Sequence, residues 1–253
     1  MNWLKDKCNE QPLMRGIWLS TGSQVAAELA AATGFDWALL DMEHGVCSES
    51  DILSQIQILS NTATCPVVRI PSRKNDILKK VLDYGATAVM SPMINTPEEA
   101  EEFVKATKYP PDGTRGMSGS SRASGYGFNF KEYYRDANQK MTAIAQVETR
   151  QSISNIEKIA AVKGIDILFI GHSDLSLDLG CFEDFGSEKM LDAETKVLAA
   201  AKKFGKRTGM LLKASMKIAE YRKKGFSFFA LGSDLGCLKT GYKKLFSDSA
   251  GIQ

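Results

Sequence analysis

The sequence predicts a closed α/β barrel in which each of eight parallel strands is followed by a helix. Short apolar runs alternate about eight times with helix-like segments along the 253-residue chain. Most of these runs are apolar almost throughout, which is the pattern of parallel strands covered on both faces. Eight such units in a chain of this length are typical of a (β/α)8 barrel. We therefore expect one domain over residues 1–253, with a doubly wound open sheet as the alternative.

The predicted strands lie at residues 15–20, 37–41, 66–70, 88–93, 141–148, 167–171, 208–212 and 228–232. Helix-like segments separate them, among them residues 23–33, 48–60, 96–108 and 189–203. Several begin at a Ser or Thr that can cap the helix N-terminus, and Pro97-Glu98-Glu99 forms a favourable first turn. No Gly-x-Gly-x-x-Gly follows the first strand, so the open-sheet alternative lacks the nucleotide-binding motif usually found with it.

The composition excludes several classes of partner. Hydrophobic residues make up 43% of the chain, and its net charge of +2 is spread without a basic stripe that would indicate nucleic acid. No apolar run approaches the roughly 20 residues that span a bilayer, and residues 1–6 lack a signal core. The five scattered cysteines form no Cys-x-x-Cys pair, which argues against disulfides or structural zinc. We expect a cytoplasmic protein.

An irregular Gly- and Ser-rich stretch occupies residues 109–129. It resembles a phosphate-binding loop only in composition, because it follows a helix and has no Gly-Lys-Ser or Gly-Lys-Thr end. We interpret residues 113–127 as a lid or a subunit contact.

Polar residues stand at the C-terminal ends of four predicted strands, where barrel enzymes carry their reacting groups. The sites are Asp41-Met42-Glu43-His44, Arg69, Gln146-Val147-Glu148 and Gly171-His172-Ser173-Asp174. Imidazole is the side chain suited to proton transfer near neutral pH, and Asp41 could fix the tautomer of His44, so we interpret this pair as a general base. Each residue also has a structural alternative as a helix cap, a buried ion-pair partner or a satisfied histidine. Four strand ends with complementary groups favour a catalytic site.

Glu148 and Asp174 could bind one divalent cation. Two carboxylates with open positions beside them suit a hard ion such as Mg²⁺ or Mn²⁺. Arg69 could grip a carboxylate through two hydrogen bonds or stabilise a developing enolate oxygen.

Several short motifs follow one another along the chain. They are Gly34-Phe35-Asp36-Trp37, Asp41-Met42-Glu43-His44, Val68-Arg69-Ile70-Pro71, Leu82-Asp83-Tyr84-Gly85-Ala86, Ser91-Pro92-Met93, Tyr109-Pro110-Pro111, Arg115-Gly116, Gln146-Val147-Glu148-Thr149 and the stretch 171–176. In this order they resemble the HpcH/HpaI aldolases, which are metal-dependent pyruvate aldolases. The resemblance runs through nearly the whole chain.

The resemblance implies a barrel of the phosphoenolpyruvate/pyruvate type and a class II aldolase. Such an enzyme reversibly cleaves a 4-hydroxy-2-oxo acid into pyruvate and an aldehyde, with the pyruvate enolate held on Mg²⁺, Mn²⁺ or Co²⁺. It implies Glu148 and Asp174 as metal ligands, Arg69 as the residue that orients pyruvate, and His44, oriented by Asp41, as the acid/base. Gln146 and the backbone at Ser173 and Asp174 would contact pyruvate.

The resemblance also implies a homohexamer, a trimer of dimers in which the last helix is exchanged between subunits and Asp83 reaches toward a neighbouring site. Residues 238–246 carry an amphipathic stripe that permits this exchange.

Three alternatives remain open. Lys213 could act as a Schiff-base lysine, although its sequence neighbours give no means of activating it. The reaction could be a related carbon–carbon cleavage of an oxaloacetate or CoA-ester substrate, or the barrel could bind a ligand without catalysis.

His172 stands where family members commonly have a small residue or proline, and we interpret it as a partly exposed loop residue in preference to a third metal ligand.

Overall fold

Eight parallel strands close into a barrel in chain order, and the first strand pairs with the last. The computed structural model describes residues 2–72, 75–213 and 215–249. The strands are β1 Met14–Leu19, β2 Trp37–Asp41, β3 Cys65–Arg69, β4 Ala88–Ser91, β5 Thr142–Val147, β6 Ile165–Ile170, β7 Arg207–Leu211 and β8 Phe228–Ser233. The predicted (β/α)8 barrel is confirmed, and every predicted strand overlaps an observed one.

Most helices surround the barrel on its outside, whereas the first packs Leu4 and Cys8 against the side chains inside the barrel. The helices are α1 Leu4–Glu10, α2 Gln24–Thr33, α3 Glu49–Leu59, α4 Asn75–Tyr84, α5 Pro97–Thr107, α6 Phe130–Lys140, α7 Arg150–Ser154, α8 Ile156–Ala161, α9 His172–Asp178, α10 Glu188–Phe204, α11 Ile218–Lys224 and α12 Asp234–Ser249. The predicted caps are present: the side chains of Ser48 and Thr96 accept hydrogen bonds from the first turns of α3 and α5. Helix α1, which precedes the first strand, was not predicted.

Large side chains fill the barrel interior. Trp37 and Phe228 stack with ring centroids 4.2 Å apart, and Trp18 and Phe169 lie in the same cluster. A Cβ at Gly16 would overlap with the Trp37 ring, so the packing requires glycine at this position. A second core lies between the strands and the helices. Since the interior is packed, a substrate site can form only at the mouth of the barrel.

The strand register brings polar residues together at that mouth. Asp41 and Arg69 end β2 and β3 and are register partners. Asp234, the first residue of α12, accepts hydrogen bonds from the backbone N–H groups of Ser20 and Thr21, which follow β1. The carboxyl end of β8 is therefore fixed to the carboxyl end of β1.

The rest of α12 turns an apolar stripe toward solvent. Leu238, Tyr242, Leu245 and Phe246 are all exposed, Phe246 to 82%. The predicted amphipathic helix is thus observed, but its stripe does not cover the chain's own barrel. Within the part of the chain that is described, no helix is both long and apolar enough to cross a bilayer.

The irregular stretch before α6 is fastened by two arginines. Arg115 is buried beside the rings of Tyr109 and Tyr133 and forms a 3.0 Å ion pair with Asp83. Arg122 donates a 2.6 Å hydrogen bond to the carbonyl of Tyr84. The far end of the stretch leaves Met117, Tyr126 and Phe128 exposed, and its role as a lid or subunit contact stays a prediction.

Candidate active site

Arg69 is held in one orientation by acidic and aromatic neighbours. Its Nε and Nη2 donate hydrogen bonds of 2.9 and 2.7 Å to the two carboxylate oxygens of Asp41. Its Nη1 lies 2.7 Å from Glu43 Oε2, although this contact is not aligned as a hydrogen bond. The guanidinium carbon lies 4.7 Å from the centroid of the Trp18 ring. A guanidinium fixed in this way is preorganised for a substrate carboxylate or enolate oxygen.

The carboxylate of Asp41 pairs with Arg69 and does not contact the ring of His44. Beyond the two bonds from Arg69, its carboxylate accepts hydrogen bonds from Trp18 Nε1 and from the backbone N–H groups of Glu43 and His44. Burial alone would raise the pKa of Asp41, but the bonds from Arg69 hold it below its usual value. The expectation that Asp41 fixes the His44 tautomer is therefore corrected: the strand register puts Arg69 on this carboxylate.

His44 lies at the rim, with a side chain that is 68% exposed. Its Nε2 is 4.0 Å from Glu43 Oε1, so Glu43 is the acidic side chain nearest to the ring among those described. An exposed imidazole can exchange protons with water, as a general acid/base requires.

Glu148 is a buried carboxylate at the end of β5. Its Oε1 accepts a 2.7 Å hydrogen bond from the backbone N–H of Met93, and its Oε2 accepts one of 2.5 Å from Gln146 Nε2. Met93 has a φ of 52°, an uncommon conformation for a side-chain-bearing residue that tends to occur at functional sites. Burial, together with the nearby charges of Asp174 and Glu43, raises the pKa of Glu148 to about 7.

The donor set fits a divalent cation that takes its remaining ligands from water and substrate. The described residues include no group of three or more His, Cys, Asp or Glu side chains placed to hold a metal, so Glu148 and Asp174 would contribute two carboxylates. The buried Gln146 Oε1 has no hydrogen-bond partner within the described ranges. An incoming cation or ligand would satisfy that oxygen and relieve the repulsion between the carboxylates.

A cavity of about 190 Å³ opens between these groups. Of the predicted site residues, His44, Arg69, Gln146, Ser173 and Asp174 line it, and Glu148 is bonded directly behind Gln146. Asp83 is not among the lining residues and is paired with Arg115 instead. A site in a neighbouring subunit would be needed for Asp83 to contact substrate, and that role stays a prediction.

Sequence reasoning missed one member of the site, Trp18, and considered Lys213 only as a Schiff-base lysine. Trp18 lies within β1, and its place beside Arg69 depends on barrel closure. Lys213 also lines the cavity and donates a 2.8 Å hydrogen bond to Ser173 Oγ. The signal for both was their position at the same end of the barrel as Asp41, since parallel strands in a barrel share one mouth.

The interpretation of His172 as a partly exposed loop residue is wrong. This histidine begins α9 and is 3% exposed. Its Nε2 lies 3.0 Å from Glu194 Oε1, and its Nδ1 lies 3.3 Å from the carbonyl of Ile170. Glu194 also accepts a 2.7 Å bond from Lys224, so His172 packs against α10 and α11.

The comparison with known proteins identifies the family. The model of the HpcH/HpaI aldolase/citrate lyase family matches residues 15–240. The chain belongs to this family. It is 38% identical over 240 residues to a hydroxypyruvate/pyruvate aldolase of Paraburkholderia phytofirmans, with 92% of each chain covered. It is 35% identical to a 5-keto-4-deoxy-D-glucarate aldolase of Shigella boydii, covering 91% of this chain and 89% of the relative.

A solved structure agrees with this assignment. A family protein from Burkholderia cenocepacia superposes with a TM-score of 0.93 at 33% identity, covering 99% of this chain and all of the other. The chain is accordingly a carbon–carbon lyase of the aldolase type, and the family in general depends on a divalent metal.

Proposed function

We propose that this enzyme reversibly cleaves a 4-hydroxy-2-oxo acid into pyruvate and an aldehyde. One observation carries the proposal: a single cavity joins a fixed guanidinium, Arg69, to the carboxylate of Asp174 and to the exposed imidazole of His44. Aldol chemistry on pyruvate needs these three functions, namely charge stabilisation at the enolate oxygen, a cation site and a proton carrier.

Glu148 and Asp174 would hold Mg²⁺, Mn²⁺ or Co²⁺. Such an ion supplies Lewis acidity at the keto oxygen, where negative charge develops. Both carboxylates lie near enough to interact electrostatically, since Asp174 contributes to the raised pKa of Glu148.

Arg69 and Gln146 would bind the 2-oxo acid end of the substrate. Arg69 keeps N–H groups that are not used by Asp41, and these can donate to an enolate or carboxylate oxygen. Gln146 donates to Glu148 through Nε2. The buried Oε1 of Gln146 has no hydrogen-bond partner within the described ranges, so it is available to a bound substrate. The backbone N–H groups of Ser173 and Asp174, in the first turn of α9, would receive the pyruvate carboxylate.

His44 would move the proton. In cleavage, the 4-hydroxyl loses its proton toward His44, the bond between C3 and C4 breaks, and C4 leaves as the aldehyde. The electron pair remains on C3 as the pyruvate enolate, and His44 then returns the proton to C3, so that no net proton is gained or lost. In synthesis the same steps run in reverse.

We also propose that the protein assembles through α12. A groove of about 490 Å³ between α2 and the start of α12 is lined by apolar side chains that include Val25, Leu29 and Leu238. The groove continues into the exposed apolar side chains of α12, among them Tyr242, Leu245 and Phe246, and a contiguous exposed apolar surface is typical of a contact with another chain. The homohexamer with exchanged last helices is our specific form of this proposal.

A cytoplasmic location fits the five cysteines, all of which are free.

The first experiment follows the methyl protons of pyruvate by NMR in deuterium oxide. We expect exchange after addition of Mn²⁺ or Mg²⁺, little exchange after chelation, and a loss of about 100-fold or more in His44→Ala. Glu49→Gln, a substitution in the exposed Glu49–Lys80 pair, is the matched control and should exchange like wild type. Absence of exchange with every metal would refute enolisation of pyruvate.

A further inference from the structure

Residues 171–174 connect β6 to α9 and contribute two groups to the proposed site. These groups are the carboxylate of Asp174 and the backbone N–H groups of Ser173 and Asp174 in the first turn of α9. The inner side of the segment is tightly packed, because a Cβ at Gly171 would overlap with Glu148 Oε2. The segment therefore lies directly against the other proposed metal ligand.

The carboxylate of Asp174 has no support of its own. Within the described ranges it has no hydrogen bond and no ion pair, whereas Glu148 accepts hydrogen bonds at both of its oxygens. The position of Asp174 consequently depends on the backbone from which its side chain projects. Whatever fixes residues 171–174 also fixes one of the two carboxylates that a cation would need.

The side chain of His172 fixes the outer side of this segment to α10. Its Nε2 donates a 3.0 Å hydrogen bond to Glu194 Oε1, since a carboxylate can only accept. The two side chains are 1% and 2% exposed. Glu194 Oε2 accepts a 2.7 Å hydrogen bond from Lys224 of α11, so both of its oxygens are bonded. Water does not compete for a hydrogen bond buried in this way, and the bond is correspondingly strong.

The side chain at position 172 is the polar link from this segment to the surrounding helices. Ser173 contacts Lys213, which lies in the loop after β7, and Ser176 donates to the carbonyl of Ser173 within α9 itself. A small residue or proline, which family members commonly have at position 172, could not form a hydrogen bond to α10. This chain therefore holds the start of α9 by a contact that its relatives commonly lack.

We propose that His172 is a positioning residue that acts through its hydrogen bond to Glu194. The bond fixes the backbone of residues 171–174, and with it the metal-binding carboxylate of Asp174 and the N–H groups that receive the pyruvate carboxylate. Groups behind the ligands commonly set how tightly a metal binds. His172 moves no proton in this scheme, so its loss should weaken binding more than it slows the reaction of bound substrate. The inference rests on the proposed aldolase function.

The first test measures the affinity of the metal-free protein for Mn²⁺ by calorimetry, at a temperature where circular dichroism shows each variant to be folded. His172→Ala should bind Mn²⁺ about 10- to 100-fold more weakly than wild type. His172→Gln retains a donor that can reach Glu194 and should recover part of this loss. Lys203→Gln, in the exposed Lys203–Glu157 pair, is the matched control and should bind like wild type.

A double-mutant cycle tests whether His172 acts through Glu194. Glu194→Ala should weaken Mn²⁺ binding much as His172→Ala does, and the double variant should bind no more weakly than either single variant, because each change removes the same hydrogen bond. In the pyruvate exchange assay, KM for pyruvate should rise in His172→Ala and fall back in His172→Gln, while kcat at saturating metal and pyruvate changes less.

Three results would overturn the inference. They are a folded His172→Ala that binds Mn²⁺ as tightly as wild type, additive losses of affinity in the double variant, and a loss confined to kcat with KM unchanged. Failure of the aldolase proposal looks different, because wild type would then bind Mn²⁺ without exchanging the protons of pyruvate. The Mn²⁺ affinities of the variants would still decide whether His172 positions Asp174.

Discussion

Asp41 and Arg69 form a two-point ion pair across adjacent strand ends, with Nε···Oδ1 and Nη2···Oδ2 distances of 2.9 and 2.7 Å. Both side chains are almost fully buried. The pair fixes the plane of the guanidinium, and Trp18 supports it through a hydrogen bond to Asp41 and ring contact with Arg69. A rigid support of this kind lets Arg69 meet developing charge without reorganising.

Asp41→Asn should therefore impair both stability and catalysis. Removing one partner of a buried pair leaves Arg69 with Glu43 alone, so we expect unfolding to become easier by about 3 kcal/mol. Misplacement of the guanidinium should slow pyruvate exchange by about 100-fold. Urea denaturation and the NMR exchange assay measure the two effects, and Glu43→Gln should give smaller changes in each. Full stability combined with a shifted pH–rate profile would instead indicate that Asp41 acts on His44.

Metal affinity should depend on pH through Glu148. Because burial and neighbouring carboxylates raise the pKa of this group to about 7, it must lose a proton before it can bind a cation. The apparent affinity should rise by about tenfold per pH unit below the pKa and level off above it. Calorimetry in buffers of different ionisation enthalpy measures the released proton. Glu148→Gln should bind weakly without proton release, and pH-independent affinity in wild type would count against Glu148 as a ligand.

The metal-free protein should lose stability as the pH rises. The pKa of Glu148 is about 7 in the folded state and near its ordinary value of 4.5 in the unfolded chain. Between these values the folded state binds more protons, so the contribution is fully present below the lower value and is lost as the pH rises through about 7. With a chelator present, we expect a loss of about 1 to 3 kcal/mol in wild type relative to Glu148→Gln. Parallel stability curves for the two proteins would contradict this.

The sequence was sufficient for the barrel and for most of the site because both depend on strand ends. The run from Trp37 to Asp41 shows a fully apolar strand that stops at a carboxylate, and Arg69 stops the next strand in the same way. Parallel strands in a closed barrel end at one mouth, so these groups had to meet. The partner of Asp41 could not be predicted from its neighbours in the sequence. His44 is near it in sequence, whereas Arg69 becomes its partner through a register set by the whole barrel.

Residues of α12 should control the oligomeric state. Leu245 and Phe246 are exposed on a stripe that the chain's own barrel does not cover, so covering them is expected to favour assembly. In sedimentation velocity, wild type should form a stable oligomer, and Leu245→Glu combined with Phe246→Ser should dissociate it. Lys239→Gln changes an exposed position of the same helix and should leave assembly intact. A monomeric wild type would contradict the exchange of α12.

The two histidines of the chain should separate catalysis from stability. The ring of His44 is mostly exposed, so His44→Ala should abolish exchange of pyruvate while leaving the unfolding free energy nearly unchanged. His172 is buried against Glu194. Burial alone would raise the pKa of Glu194, but its hydrogen bonds with His172 and Lys224 hold that pKa below its usual value.

His172→Ala would remove one donor from that buried carboxylate and leave a cavity between α9 and α10. We therefore expect a loss of about 2 to 4 kcal/mol in unfolding free energy. His172→Gln, which retains a donor, should lose less. Exchange measured per folded molecule at saturating metal should survive better in both His172 variants than in His44→Ala. If His172→Ala were as stable as wild type but inactive, His172 would belong to the reacting groups and not to the support behind α9.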